Sequence, residues 1–368
     1  MRVGITGQQG FIGKHLFNFL GLKDEIELIP FEKNFFLDKE KLNQFVESCD
    51  AIVHLAAMNR HKDQTVIYKT NIDLVKSVIS ACEATDSHPH IILSSSTQEG
   101  KDNLYGKSKK EGRELLEKWA NKNKGKVSGL IIPNVFGPFG KPKYNSVVAT
   151  FCTQLVNNEE PEIIVDGNLS LIYVNHLVDQ VYSIIKEKKE GRIEIAPQYE
   201  CKVSELSNKL KSVKNQYFIR GEFPPLTTAF ELDLFNTFRC YIPQEYYPRS
   251  FIKHSDARGS FVEIVRANTS GQFSFSTTVP GVTRGNHFHT RKAERFAVIK
   301  GKARIDIRKI DSDEIVSYII DGENPSYVDM PIWHTHNITN IGKEELLTLF
   351  WINEPYNPED ADTFFVNV

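Results

Sequence analysis

The sequence is poor in cysteine, and this scarcity bears on the compartment in which the protein works. The 368 residues include five cysteines, none of which forms a CxxC pair. They are Cys49, Cys82, Cys152, Cys201 and Cys240, so the last third of the chain has none. An odd, scattered set indicates free thiols in a reducing compartment rather than a disulfide framework. We therefore expect a cytoplasmic protein.

Long apolar runs and a strong charge of one sign are also absent. No stretch approaches the roughly 18 uninterrupted apolar residues of a membrane-spanning helix, which excludes a membrane partner. The formal net charge of −2 provides no field that would attract nucleic acid. Because the first residues, MRVGITG, already predict a strand and a glycine loop, we expect no signal peptide ahead of the fold.

The first residues carry a glycine-rich turn between a strand and a helix. Arg2–Thr6 is a short apolar strand, and apolar residues at helical spacing follow the turn. Glycine lets the backbone approach a pyrophosphate, and the amino terminus of the following helix attracts its negative charge. This context predicts a dinucleotide-binding α/β domain. The candidate cofactor contacts are Gly7, Gly10, Phe11, Ile12 and Gly13.

The next two predicted strands contribute further candidate contacts with the cofactor. Glu27–Phe31 is the second strand, and Glu32 directly after it could bind the ribose of NAD. Lys33 could instead pair with the 2′-phosphate of NADPH, and we favour NADPH as the cofactor. In the third strand, Ala51–Ala57, the small side chain of Ala56 would let the cofactor pass close, although this stretch is equally compatible with simple packing.

A tyrosine and a lysine four residues apart follow the fourth predicted strand. His90–Leu93 runs into three serines, and Tyr105 and Lys109 lie beyond them in the segment YGKSK. Residues four apart share a helix face, so the Lys109 ammonium would lie beside the Tyr105 phenol and lower its pKa from about 10. Tyr105 would then donate a proton while a serine orients the carbonyl. We favour Ser96 for this role, with Ser95 as the register alternative.

These segments together resemble the extended short-chain dehydrogenase/reductase family. The resemblance depends on three features of the first half: the G-x2-G-x2-G loop, the SSS strand end and the Y-x3-K pair. It implies a Rossmann-like, doubly wound parallel sheet that binds NAD(P). It also implies that Ser96, Tyr105 and Lys109 form the catalytic set of a reductase, and that Tyr105 and Lys109 contact the cofactor as well.

The pattern of the chain changes near residue 244. The segment YIPQEYYPRS, residues 241–250, is rich in proline and tyrosine and lacks periodicity, which indicates a linker. Beyond it, short alternating stretches such as ARIDIRKI and LLTLFWIN recur at the spacing of strands in an all-β barrel or double-sheet roll. We therefore predict two domains, residues 1–243 and 244–368, each long enough to bury its own core.

The second predicted domain contains two His-x-His pairs. Residues two apart in a strand point to the same face, so His287 and His289 would project into one cavity. If the next strand returns antiparallel as the second arm of a hairpin, Glu294 reaches the same cavity. His334 and His336 form the second pair. Paired histidines with a carboxylate nearby predict a metal site.

The spacing of these residues resembles the cupin family. The pattern G-x5-H-x-H-x4-E-x6-G, from Gly281 to Gly301, matches the first cupin signature, and Pro331 to Asn340 fits the second apart from Trp333 in place of glycine. The resemblance implies a double-sheet jelly roll that binds one divalent metal, with zinc as the expected ion and manganese, iron or nickel as alternatives. The implied ligands are His287, His289, Glu294 and His336.

The order of the two halves resembles the CapF type of bifunctional nucleotide-sugar enzymes of bacterial capsule and O-antigen synthesis. The segments GVTRGNHFHTRKAERF, YNSVVATF and WINEPYNPED carry this resemblance, which covers essentially the whole chain. It implies that the cupin half inverts carbon 3 of a UDP-2-acetamido-2,6-dideoxy-4-hexulose and that the reductase half reduces the 4-ketone with NADPH. The implied product is UDP-2-acetamido-2,6-dideoxy-β-L-talose, a precursor of N-acetyl-L-fucosamine, and the implied assembly is a homodimer.

Two other interpretations of the sequence stay open. One is a monofunctional 4-ketoreductase or epimerase whose cupin only binds sugar and whose metal is structural. The other is a non-enzymatic sensor in which the dinucleotide domain reports the state of its cofactor to the cupin. The presence of Tyr105 and Lys109 favours an enzyme over a sensor. The base for the epimerisation is open as well, with His334 or a nearby carboxylate as candidates.

Overall fold

The protein divides into two compact units in a computed structural model that describes residues 1–257 and 259–368. The first unit comprises Met1–Thr150 and Ile163–Ser204, and the second comprises Phe151–Glu162 and Glu205–Val368. Each unit buries a hydrophobic core of its own.

A six-stranded parallel sheet forms the centre of the first unit. The strands of this unit are β1 (Arg2–Thr6), β2 (Glu27–Ile29), β3 (Ala51–His54), β4 (His90–Ser96), β5 (Lys126–Ile132), β6 (Asn134–Phe136), β7 (Asn168–Tyr173), β8 (Gly191–Glu194) and β9 (Tyr199–Lys202). The large sheet has the order β2-β1-β3-β4-β5-β8, and β6, β7 and β9 form a small sheet. The strand order reverses between β1 and β3, which places the binding crevice of such a sheet at the carboxyl ends of these strands.

Helices cover both faces of the large sheet. They are α1 (Phe11–Leu20), α2 (Lys39–Glu47), α3 (Gln64–Thr85), α4 (Leu104–Asn123), α5 (Val147–Val156), which continues into the second unit, and α6 (Val174–Glu187). Apolar residues of α1 and α6 pack with Val53 on one face of the sheet. Those of α2, α3 and α4 pack with Ile52 on the other face. The predicted doubly wound Rossmann-like sheet is therefore confirmed.

Two antiparallel sheets build most of the second unit. The strands are β10 (Arg249–Ser250), β11 (Lys253–Asp256), β12 (Gly259–Val262), β13 (Gln272–Thr278), β14 (Thr283–Phe288), β15 (Glu294–Lys300), β16 (Lys302–Lys309), β17 (Ile315–Asp321), β18 (Ser326–Met330), β19 (His334–Asn340), β20 (Leu346–Ile352) and β21 (Phe364–Phe365). One sheet has the order β10-β18-β15-β20-β13, the other has the order β17-β16-β19-β14-β21, and β11 pairs with β12. Phe296 and Val328 of the first sheet share a core with Ile305 and Ile338 of the second. This is the predicted cupin-like double-sheet domain.

The second unit also contains helical segments that the sequence assigned to the first domain. They are α7 (Val203–Val213), a π-helical turn (Lys214–Ile219) and α8 (Ala229–Arg239). The Tyr217 hydroxyl donates to Asp329 Oδ2 over 2.5 Å, and Asn236 Nδ2 donates to the Arg291 carbonyl over 2.8 Å. Because these side chains are buried against the β strands, the two units separate near residue 204 rather than at the predicted boundary of residue 243.

The predicted linker, residues 241–250, also belongs to the second unit. The Tyr247 hydroxyl lies 2.8 Å from that of Tyr217, and β10 pairs with β18. This segment is therefore part of a folded unit. Among the residues described, no helix is both long and apolar enough to cross a lipid bilayer.

Candidate active site and metal centre

The predicted glycine loop forms a tight turn at the amino terminus of α1. Gly7 has φ +77°, and a Cβ atom there would lie 2.8 Å from the Ala56 backbone nitrogen. A Cβ atom on Gly13 would lie 2.3 Å from the Gly7 carbonyl oxygen. Gly10 caps the helix, and its nitrogen donates to the Gly7 carbonyl over 2.9 Å. Only glycine fits this close approach of helix and turn, so the first backbone N–H groups of α1 stay open to a phosphate.

The other predicted cofactor residues lie around this turn. Ala56 follows β3, and its nitrogen lies 3.4 Å from the Thr6 hydroxyl, so the loops after β1 and β3 meet at the switch point of the sheet. Phe11 and Ile12 pack partly buried against the core. The second strand ends at Ile29, two residues before its predicted end, and Lys33 is exposed at the start of a short 3₁₀ helix, Lys33–Leu37.

Tyr105 and Lys109 lie on the first turns of α4. The Asn103 side chain caps this helix by accepting a hydrogen bond from Gly106 N over 2.7 Å. The Lys109 ammonium is buried and donates to the Ser94 carbonyl over 2.8 Å, and it lies 5.8 Å from the centre of the Tyr105 ring. Lys109 and Ala56 line one small cavity, so the predicted lysine and the predicted cofactor loop adjoin.

The expected effect of Lys109 on the Tyr105 phenol is not found in this arrangement. Burial, with the neighbouring Tyr144 phenol, raises the pKa of Tyr105 to about 12. Burial also lowers the pKa of Lys109 to about 8. The prediction of a lowered tyrosine pKa was therefore wrong for this structure, because the loss of solvent outweighs an ammonium that is directed at the Ser94 carbonyl.

The three serines at the end of β4 have different partners. The Ser94 hydroxyl donates to the His54 carbonyl over 3.2 Å. Ser95 donates to the Glu99 carboxylate, which Arg113 holds with two hydrogen bonds of 3.1 and 3.0 Å. Ser96 is half-buried, and its oxygen accepts a bond from Gln98 N over 3.2 Å, which keeps its O–H group as a donor. The Ser95 hydroxyl hydrogen is thus engaged by Glu99, whereas that of Ser96 could be donated to a ligand.

Two residues near Tyr105 were missed by sequence reasoning. Arg60, in the loop after β3, donates to Asn145 Oδ1 over 3.0 Å and to the Lys143 carbonyl over 2.9 Å. Its guanidinium lies 5.7 Å from the centre of the Tyr144 ring. Arg60 thus holds the loop that brings Tyr144 to Tyr105. Arginine and tyrosine 84 positions apart carry no local pattern that could have indicated this contact.

The predicted metal ligands come together between the two sheets of the second unit. His287 and His336 lie on β14 and β19 of one sheet, His289 follows β14, and Glu294 begins β15 of the other sheet. The hairpin expected between β14 and β15 is therefore wrong, because β14 pairs with β19 and β21 whereas β15 pairs with β18 and β20. A bulge at Asn286, with φ +59°, separates Gly285 from His287 and re-aims the histidine.

The geometry of these four side chains suits one metal ion. Glu294 Oε2 lies 3.2 Å from both His289 Nε2 and His336 Nε2, and one donor atom from each of the four residues lies within 4.8 Å of the others. Ligand atoms bound to one tetrahedral ion at about 2.0–2.1 Å lie about 3.3 Å apart. Three imidazoles and one carboxylate at these distances therefore fit a divalent ion such as zinc.

Electrostatics favour the metal-binding form of two of these four side chains, His287 and Glu294. Burial, with the neighbouring His336, lowers the pKa of His287 to about 4, so this imidazole is neutral. Burial alone would raise the pKa of Glu294, but the neighbouring His289 and His336 imidazoles hold it well below its usual range. Neutral imidazole and ionised carboxylate are the forms that bind metal. His334 lies outside the group, and its Nδ1 is 2.9 Å from the Ile332 carbonyl.

Comparison with known proteins agrees with the division of the chain into two units. The family model described as "NAD dependent epimerase/dehydratase family" matches residues 3–196. The model described as "Polysaccharide biosynthesis C-terminal domain" matches residues 254–364. Over 124 residues the chain is also 27% identical to the spore coat polysaccharide biosynthesis protein SpsL of Bacillus subtilis, covering 31% of this chain and 82% of that protein.

Two proteins are similar to the chain over its whole length. UDP-2-acetamido-2,6-beta-L-arabino-hexul-4-ose reductase of Pseudomonas aeruginosa is 33% identical over 383 residues, covering 100% of this chain and 99% of that protein. The crystal structure of the capsular polysaccharide assembling protein CapF from Staphylococcus aureus is 33% identical, covers 100% of both chains and superposes with a TM-score of 0.63. The chain therefore belongs to the CapF family, in which an NAD dependent epimerase/dehydratase domain precedes a polysaccharide biosynthesis C-terminal domain.

Proposed function

We propose that this protein is a bifunctional nucleotide-sugar enzyme with one reaction in each unit. Its substrate would be a UDP-2-acetamido-2,6-dideoxy-4-hexulose. The cupin-like unit inverts carbon 3, and the reductase unit then reduces the 4-ketone with NADPH to UDP-2-acetamido-2,6-dideoxy-β-L-talose, the precursor of UDP-N-acetyl-L-fucosamine. The end-to-end similarity to a 4-hexulose reductase supports the substrate class. Capsule synthesis is the process we infer from the similarity to CapF.

The residues around Tyr105 would carry the reduction. NADPH supplies the hydride when it is bound at the glycine loop. The Ser96 hydroxyl donates to the 4-ketone and orients it, and Tyr105 donates a proton to the oxygen as the hydride reaches carbon 4. A phenol with a raised pKa can still do this, because an alkoxide is a much stronger base than a phenolate. Lys109, which lines the same cavity as Ala56, would contact the cofactor beside Tyr105.

The choice of NADPH over NADH depends on Lys33. This lysine is exposed directly after β2, on the side of the sheet where the loops after β1 and β3 meet. Its ammonium would pair with the 2′-phosphate of NADPH. Glu32 beside it would instead favour NADH. The measured preference for NADPH or NADH therefore tests directly whether Lys33 contacts the cofactor.

The four donors between the β sheets would serve the epimerisation. When bound there, a divalent cation, for which we propose zinc, supplies a Lewis acid that stabilises negative charge on a substrate oxygen. His287, His289, Glu294 and His336 would hold it. The 4-keto group acidifies the proton on carbon 3, so this step needs the ketone, a base and an electrophile but no nicotinamide. Reduction of the ketone afterwards removes that acidity and preserves the new configuration.

The single observation that carries the proposal is the presence of both sets of side chains, reductase and metal-compatible, in one chain. The reductase set lies in the first unit, and a buried, metal-compatible His3Glu cluster lies in the second. A domain that only bound sugar would not require three imidazoles and a carboxylate within 4.8 Å. We further propose that the enzyme works in the cytoplasm as a homodimer.

Product analysis tests both reactions at once. The purified protein is incubated with the 4-hexulose in deuterated water, with and without NADPH, and the products are identified by NMR. We expect deuterium at carbon 3 without NADPH, and the talose derivative carrying that deuterium when NADPH is present. A reduced product with the original proton and configuration at carbon 3 would indicate a monofunctional reductase with a sugar-binding cupin. No exchange and no NADPH consumption would contradict the whole proposal.

A further inference from the structure

A short segment near the end of the chain lies beside the four metal-compatible side chains. We call residues 361–368 the terminal strap. Within it, β21 pairs with β14 and brings Phe365 opposite His287. Val366 N donates to the Asn286 carbonyl of the bulge over 2.9 Å, and Thr335, next to His336, donates its hydroxyl hydrogen to the Val366 carbonyl. The strap thus contacts the neighbours of two donors.

The Asp362 carboxylate holds the loop that joins the other two donors, His289 and Glu294. This side chain is buried, and it accepts four hydrogen bonds from three successive residues of the loop. Thr290 donates from its nitrogen over 3.0 Å and from its hydroxyl over 2.6 Å, Arg291 N donates over 3.0 Å, and Lys292 N donates over 3.1 Å. Both carboxylate oxygens are therefore occupied, and one buried side chain holds three successive backbone N–H groups of the loop.

The backbone carbonyl of the same aspartate contacts a metal-compatible histidine directly. His289 Nδ1 lies 2.5 Å from the Asp362 carbonyl oxygen. A carbonyl oxygen can only accept, so Nδ1 carries the hydrogen and Nε2 is left with its lone pair. Nε2 is the atom that lies 3.2 Å from Glu294 Oε2. The contact with Asp362 therefore selects the tautomer that directs a lone pair at the other donors.

We propose that Asp362 is the positioning residue of the metal centre. Its carboxylate locates the loop between His289 and Glu294, and its carbonyl sets the tautomer and ring orientation of His289. The inference rests on the metal site of the proposed function. It adds a residue that supports this site without binding the metal itself. The backbone at Asp362 has φ +42°, a left-handed conformation that aspartate and asparagine tolerate better than most residues.

A matched carboxylate for comparison lies directly before the strap. Asp360 lies two residues earlier and pairs with Arg291 at the surface, with 2.8 Å between Asp360 Oδ2 and Arg291 Nη2 and 65% of the Asp360 side chain exposed. This pair is bidentate, but solvent and salt screen it far more than the buried contacts of Asp362. The substitutions Asp362→Asn and Asp360→Asn therefore make the same chemical change at a buried clamp and at a surface pair. In Asp362→Asn the amide nitrogen faces backbone N–H donors and cannot accept from them.

Zinc affinity of the full-length proteins is the main measurement, made by competition with a chromophoric chelator. Loss of an outer partner of a metal-binding histidine typically weakens metal binding by roughly 10–100-fold, and we expect this for Asp362→Asn. Asp360→Asn should bind zinc like the parent protein. NADPH binding, a property of the first unit, should be unchanged in both variants. Equal zinc affinity of Asp362→Asn and the parent would refute the positioning role.

A measurement on the parent protein decides the case even if Asp362→Asn does not fold. In the zinc-loaded protein, ¹⁵N NMR of the histidine rings should show His289 with a protonated Nδ1 and a metal-bound Nε2. An unprotonated Nδ1 would overturn the proposal. If the parent protein binds no zinc at all, the metal site of the proposed function fails, which is distinct from zinc binding that is insensitive to Asp362.

Discussion

Tyr105 has the most direct role of any single side chain in the proposed reduction. Its phenol is the proton donor, so Tyr105→Phe removes general acid catalysis but leaves the glycine loop intact. Such catalysis is typically worth about 10²–10⁴-fold, and we expect kcat for NADPH oxidation to fall by at least this order. Stopped-flow or steady-state absorbance of NADPH measures the loss, and fluorescence titration measures cofactor binding, which should change little.

The matched control for this variant is Tyr182→Phe. Tyr182 lies on α6 and donates to the Glu25 carboxylate. Removing its hydroxyl should leave turnover within the range of the parent protein. If Tyr105→Phe retained the turnover of the parent, Tyr105 would have no part in the mechanism.

In the proposed function, Lys33 decides the preference between NADPH and NADH. A hydrogen bond between an ammonium and a phosphate is worth about 1.5–3 kcal/mol, which corresponds to roughly 10–150-fold in affinity. Lys33→Ala should therefore reduce the ratio of kcat/KM for NADPH over NADH by about 10-fold or more, mainly through KM for NADPH. The exposed Lys39, at the start of α2, is the control position. Equal kinetics with both cofactors in the parent protein would contradict the assignment.

Residue identity was predictable from the sequence where the partners lie close together along the chain. The spacing of His287, His289 and Glu294 indicated three donors that the structure brings together with His336. Asp362 gave no such signal, since it lies 73 positions from the histidine that it contacts. The pKa of Tyr105 was also predicted in the wrong direction, because burial depends on the whole fold and not on the neighbouring lysine.

The beginning of α4 shows how an element positions a catalytic group. Gly106 follows Tyr105, and a Cβ atom there would lie 2.0 Å from the Gln98 carbonyl oxygen. Gly106→Ala must therefore displace either the helix or the Thr97–Gly100 turn, at a cost of about 1–3 kcal/mol. We expect a lower denaturation midpoint and a lower kcat for reduction, measured by circular dichroism and NADPH oxidation.

Gly112 on the same helix provides the control for this change. A Cβ atom at Gly112 would meet a Val75 methyl at 3.2 Å, and a side chain can move where a carbonyl cannot. Alanine also gains about 0.8–1.0 kcal/mol of helix propensity over glycine. Gly112→Ala should therefore be close to neutral. A neutral Gly106→Ala would show that the close contact with Gln98 does not position Tyr105.

The positions of the strands were predicted more accurately than the pairing between strands. The alternating stretches ARIDIRKI and LLTLFWIN correspond to β16 and β20 almost residue for residue. The predicted hairpin of β14 and β15 was wrong, because the two strands lie in opposite sheets. A period of two specifies which side chains share a face, but it does not specify which strand lies alongside. The metal donors converge because the two sheets face each other.

In the whole molecule, the two proposed sites lie in different compact units. All four metal-compatible donors belong to the second unit, whereas Tyr105, Lys109 and the glycine loop belong to the first. His289→Ala should therefore lose most of its metal and all exchange of the carbon 3 proton, yet bind NADPH as before. Elemental analysis, exchange into deuterated water and fluorescence titration measure the three properties.

Tyr105→Phe should show the opposite behaviour. It should retain metal and exchange the proton on carbon 3 without NADPH, but fail to reduce the ketone. Loss of exchange in a folded, metal-loaded Tyr105→Phe protein would mean that both reactions share one site. Unchanged metal content in His289→Ala would mean that the four-donor set is wrong.

The sequence by itself indicated the order of the two units, the glycine turn, the Tyr105–Lys109 pair and the four metal-compatible side chains. The turn, the Tyr105–Lys109 pair and the H-x-H-x4-E group each lie within a short segment, where local backbone geometry limits which side chains share a face. His336 was indicated only by the resemblance to the second cupin signature. Tertiary structure decided that the units separate near residue 204, because buried aromatic residues such as Tyr217 pack against strands more than 100 positions away. It also decided the pairing of the strands, the pKa of Tyr105 and the contact between Asp362 and His289, since burial and long-range packing arise only when distant segments meet.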